Sequence, residues 1–128
     1  MRSIKVLITD EVVQKFAEIS GDKNLLHMDE SFAAKTPFKK RIAHGLVILA
    51  KISKILTEEL GDGNVMISEN VKYLKPAYIG DLISVNIEKN KKDSRGVHEL
   101  LITAVNQKNE KILECDVLCK NVYNKNGK

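Results

Sequence analysis

Tryptophan is absent from this chain, proline and cysteine occur only twice each, and aromatic residues make up 5% of its 128 positions. So few aromatics, none alternating with basic residues, argue against a single-stranded nucleic-acid groove, where bases stack on aromatic side chains. The formal charge is +4, but the lysines are scattered. Such a mild bias suits an anionic small molecule, and no nucleic-acid partner is expected. Cys115 and Cys119 lie four apart in a segment that reads as a strand, so they share a face roughly 13 Å apart, too far for a disulfide. Two ordinary thiols fit a reducing cytoplasm. Nowhere do about 18 apolar residues run together, and no charged segment leads into an apolar stretch at the start, so a soluble, unexported protein without membrane contact is expected. No repeat, linker or low-complexity stretch interrupts the chain, and residues 1–128 are expected to form one domain. A domain of this size buries roughly two thirds of its unfolded surface and needs neither disulfide nor metal to hold a core.

The elements that are present follow a simple order. Residues 4–9 alternate as a strand, and Thr9 or Asp10 supplies an N-cap for a helix over 11–20 that Gly21 ends. Asp29 caps a short helix over 30–35, stopped by Thr36-Pro37, and residues 38–41 form a basic connector. The strongest helix signal runs over 44–60, with first turns apolar nearly all round, which predicts burial on every side. Strands are expected at 65–74, 82–91, 97–106 and 111–123, separated by turn residues, with a frayed polar tail at 124–128. One long apolar helix followed by antiparallel strands makes an α+β domain in which a sheet wraps a central helix.

Chemistry concentrates in two places. Ser20-Gly21-Asp22-Lys23-Asn24-Leu25-Leu26-His27 puts a carboxylate and an imidazole in one polar loop, and Ile42-Ala43-His44-Gly45 then opens the apolar helix. An Asp and a His five apart can reach one water molecule, while the first backbone N–H groups of a helix can hold a developing oxyanion. Gly45, without a Cβ, lets a carbonyl approach closely. His44 reads as a cap or as a hydrogen-bond donor behind the pair. No metal is implied, because the three histidines lack ligand spacing. A loop Asp-x4-His alone is also ordinary turn chemistry, and Gly45 could serve only tight packing.

These segments together closely resemble the MaoC-like (R)-specific enoyl-CoA hydratases and 3-hydroxyacyl-thioester dehydratases of the hotdog fold. Their usual form is an Asp-x-Asn-Pro-x-His loop and an Ile-(Ala or Val)-His-Gly helix start. Tyr73-Leu74-Lys75-Pro76-Ala77-Tyr78-Ile79-Gly80-Asp81 is similar to the family's aromatic-x-x-Pro-(Val/Ala)-x-x-Gly-Asp turn. The resemblance implies a hotdog fold and at least a homodimer, with Asp22 and His27 as the catalytic pair. It gives Gly45 N–H the oxyanion role, has Asn24 shape the loop, and sets Ser53 near the acyl chain. Leu25 stands where the family usually has Pro, which frees φ and restores an N–H, so a less rigid loop is expected.

The activity implied is hydration of trans-2-enoyl-CoA to (R)-3-hydroxyacyl-CoA and the reverse dehydration, in fatty acid metabolism. Coenzyme A or acyl carrier protein bears the substrate, and no separate cofactor is needed. An Asp with an ordinary pKa of about 3.9 is a weak base near neutrality, so partial burial of Asp22 is expected. Two other readings stay open: another hotdog thioester enzyme, such as a thioesterase or an amine-adding lyase, and a non-catalytic acyl-CoA-binding subunit.

Overall fold

The computed structural model describes residues 2–123. The elements are β1 (Ser3–Leu7), α1 (Asp10–Ser20), α2 (Leu25–Met28), α3 (Glu30–Ala34), α4 (Gly45–Leu60), β2 (Asn64–Tyr73), β3 (Leu82–Lys92), β4 (Val97–Val105) and β5 (Lys111–Asn121). The expected tail at 124–128 lies outside the described residues, and the last strand stops two residues short of its expected end.

All five strands form one antiparallel sheet in the order β1-β3-β4-β5-β2. Successive side chains on a strand face opposite ways, and the alternation in β3 and β5 turns Ile83, Val85, Ile87, Leu113, Cys115, Val117 and Cys119 toward the core. Against that face lies α4, about 24 Å long at 1.5 Å per residue, contributing Val47, Ile48, Ile52, Ile55 and Leu56. This is the sheet-wrapped-helix architecture of the hotdog fold.

Burial of α4 is one-sided, contrary to expectation. Leu46 is 52% exposed and Ala50 is also exposed, because the sheet curls around only one flank of the helix. At the edge of the sheet, β2 pairs on one side only and carries exposed Val65, Ile67 and Tyr73. Cys115 and Cys119 are both free and buried, and burial pushes the Cys115 thiol up to about 11, so it holds no thiolate near neutrality.

Local chemistry sets the helix ends. Thr9 caps α1 by accepting from Val12 N–H at 3.1 Å, and Gly21, at φ 77, closes it by donating to Ala17 O at 2.9 Å. His44 is the extended N-cap of α4, at φ −60 and ψ 132, and its side chain makes no capping bond.

Candidate active site

The loop between α1 and α2 is built from three successive turns of the same kind. Ser20 Oγ accepts from Asp22 N–H at 3.1 Å, Asp22 Oδ1 from Asn24 N–H at 3.1 Å, and Asn24 Oδ1 from Leu26 N–H at 3.0 Å. Side-chain oxygens bonding the backbone two residues on are the ordinary device of Ser, Asp and Asn in turns. Asn24 therefore shapes the loop as the N-cap of α2. Leu25 is the first residue of that helix, where Pro would also fit, and none of the three bonds uses its N–H. Sequence periodicity missed α2 itself, since four residues are too few to show a period.

His27 is buried, and its ring orientation is fixed from behind. Its Nδ1 lies 2.8 Å from Ile42 O; a carbonyl only accepts, so Nδ1 carries a proton, and the tautomer this selects is the one with its lone pair at Nε2. By the same logic His44 Nε2, 2.9 Å from Asp22 O, donates to that carbonyl. The two imidazoles stack with centroids 4.0 Å apart, and Phe16 tilts against His44 at 4.8 Å. His44 Nδ1 is buried without a hydrogen-bond partner among the described residues. His44 thus braces both the Asp22 backbone and the His27 ring.

Asp22, His27 and His44 each offer one polar atom, and these lie within 4.8 Å of one another. They are also the residues that could surround a metal ion. Asp22 is exposed, which corrects the expectation of partial burial: the loop follows α1 directly and no element among the described residues covers it.

Beside this cluster opens a cavity of about 380 Å³. His27 and Gly45 sit on its wall, with Phe38, Ile42, Ile48 and Leu113 among the apolar residues around them. Asp22 and His44 are not on that wall but stand beside His27, which is. Gly45 N–H, the first of α4, donates to no group among the described residues. Tyr73, from the end of β2, lies over Gly45 so closely that a Cβ there would fall 2.8 Å from its ring Cδ1. Burial, with Glu69 adding to it, raises the Tyr73 hydroxyl above its usual pKa. This contact spans 28 positions and left no trace in the sequence reading.

Ser53 is the site residue that the structure does not bring in. It is exposed on α4, absent from the cavity wall, and eight residues, or about 12 Å, along the helix from Gly45.

A family profile described as "MaoC like domain" matches residues 2–111. A 3-hydroxybutyryl-CoA dehydratase of Methylorubrum extorquens is 45% identical over 86 residues, covering 66% of this chain and 55% of that protein. An (R)-specific enoyl-CoA hydratase of Aeromonas caviae is 34% identical over 77 residues, covering 59% and 58%. The chain thus spans little more than half the length of these relatives. Among solved structures, the R-hydratase PhaJ1 of Pseudomonas aeruginosa superposes with a TM-score of 0.87 at 27% identity, over 94% of this chain and 78% of that one.

Proposed function

Because this chain belongs to the family of MaoC-like domains, we propose that it reversibly adds water to trans-2-enoyl thioesters, giving (R)-3-hydroxyacyl thioesters. The observation that carries this reading is the meeting of His27, with Asp22 behind it, and the free N–H of Gly45 on one apolar cavity. The activities named for the relatives above support it.

Three atoms no more than 4.8 Å apart leave a point within about 2.8 Å of all of them, which is hydrogen-bond distance for water. A water there offers its two hydrogens to the Asp22 carboxylate and to His27 Nε2. As one proton passes to this pair, the water oxygen forms its bond to C3 of the enoyl chain. The electron pair of the double bond shifts toward the thioester oxygen, which Gly45 N–H stabilises. The enolate then collects at C2 the proton that the pair had taken, which restores the pair, and nothing besides water and thioester is consumed. Dehydration retraces these steps. The carrier, coenzyme A or acyl carrier protein, lies beyond the reacting atoms.

The test is turnover of a short trans-2-enoyl-CoA. Loss of the conjugated double bond without free thiol, and an (R)-3-hydroxy product on chiral analysis, is the expected result. Release of free coenzyme A would make the protein a thioesterase, and binding without turnover would make it an acyl-CoA-binding subunit.

The unpaired edge of β2 and the exposed apolar side chains of Ile67, Leu74 and Leu46 suit a second copy of this chain. A homodimer is therefore expected at micromolar concentration, and Ile67→Lys is expected to weaken it. Light scattering that returns a stable 14.4 kDa particle for the unaltered chain would sink this reading. No helix among the described residues is long and apolar enough to cross a membrane, and the two unpaired thiols suit the cytoplasm.

A further inference from the structure

We propose that Arg41 is a positioning residue for His27, fixing the place from which the imidazole meets water. The inference rests on the hydratase reading, since it assigns that work to His27. It starts from the shortness of α2. A helix of four residues leaves its carbonyls without partners inside the helix, and each needs one from elsewhere. Leu25 O accepts from Asp29 N–H at 2.9 Å and Leu26 O from Ile42 N–H at 3.3 Å. His27 O accepts from Arg41 Nε at 2.7 Å.

The adjacent residue Ile42 takes the ring proton of the same histidine at 2.8 Å. Residues 41 and 42 therefore grip His27 at both ends, guanidinium on the main chain and carbonyl on the ring. A grip positions only if it is itself held. Arg41 Nη2 donates to Asp10 Oδ1 at 2.6 Å, and Nη1 lies 3.9 Å from Glu30 Oε1. Asp10 opens α1 and Glu30 opens α3, so one planar cation ties the starts of two helices to the end of a third.

The Arg41 side chain is only 11% exposed, and hydrogen bonds to a charged donor are stronger and more directional in such a place. The hydrogen bond from Arg41 also holds the Asp10 carboxyl below the usual carboxylate range. Arg41 does not line the cavity and so acts through His27 alone. Lysine cannot replace it, because one ammonium cannot hold His27 O and Asp10 in a fixed plane.

Misplacing a reacting group by about 1 Å can cost around 10²-fold in rate. Arg41→Ala and Arg41→Lys are therefore expected to lower kcat on a short trans-2-enoyl-CoA by roughly 10- to 100-fold, with KM within about twofold. Guanidinium ion at tens of millimolar is expected to restore part of the kcat of Arg41→Ala, and the same concentration of potassium chloride is not. The ¹⁵N NMR signals of the His27 ring should show the fixed Nδ1–H tautomer in the unaltered protein and exchange between tautomers in both variants. If Arg41→Ala does not fold, Asp10→Asn keeps the guanidinium and loosens its anchor; a smaller fall in kcat with the same ring signature is then expected. Unchanged kcat, or a KM effect alone, in the folded variants would overturn the proposal, as would an unaltered His27 ring spectrum. The ring spectrum is read without substrate, so a protein with no hydratase activity would overturn the functional reading through the turnover assay and leave the tautomer test standing.

Discussion

Replacing Asp22 by Asn, or His27 by Ala, is expected to lower enoyl-CoA turnover by roughly 10²- to 10⁴-fold, the range for removing a general acid or base. Asp22 is exposed, so its replacement disturbs no packing; the amide oxygen can still accept from Asn24 N–H. His27→Ala gives up the stacking on His44 and the bond to Ile42 O, at a cost of about 1 to 3 kcal/mol for a carbonyl left short of its donor. Both variants are expected to fold, and circular dichroism with a thermal melt checks this. The double variant should lose far less than the product of the two single effects, because both groups act on one water. Multiplicative losses would mean that they do separate work, and near-normal turnover in a single variant would remove that residue from the site.

Gly45→Pro is expected to abolish most activity while keeping α4. Proline suits the first helical position, and His44 already has the extended backbone that proline demands of its predecessor. Gly45 N–H serves no internal bond among the described residues. Deleting it removes a donor for the thioester oxygen, typically worth about 10²- to 10³-fold in rate, and the Cβ of proline also presses on the Tyr73 ring. The sequence suggests Gly45→Ala as a mild control, but the structure overrules this. Any Cβ at this position meets the Tyr73 ring, so alanine is expected to impair the site as well, by displacing a cavity wall. The clean comparison is made in a Tyr73→Ala background, where the ring atoms that a Cβ at position 45 meets are gone, so that alanine keeps the N–H and proline lacks it. In that background proline should remain about 10²- to 10³-fold slower than alanine. Equal rates would show that the helix start does not hold the carbonyl.

What could be read from the sequence is what repeats or signals locally. The period of two in β3 and β5 and the apolar stripe of α4 announced their elements, and Thr9, Gly21 and Asp29 marked helix ends through their own hydrogen-bonding habits. The loop of Asp22, Asn24 and His27 was legible for the same reason, as polar residues at fixed spacing before a glycine-led helix. Tertiary structure alone decided the rest. It exposed Leu46 and Ala50, because only the sheet's curl says which flank of a helix is covered. It left Ser53 off the cavity wall and brought Tyr73 onto Gly45 from the end of an edge strand. It also turned Arg41, in the sequence one basic residue of a connector, into the link between Asp10 and His27. Those contacts join residues 14 to 31 positions apart, and no local pattern encodes them, since their geometry depends on how the strands register and how the short helices pack against α4.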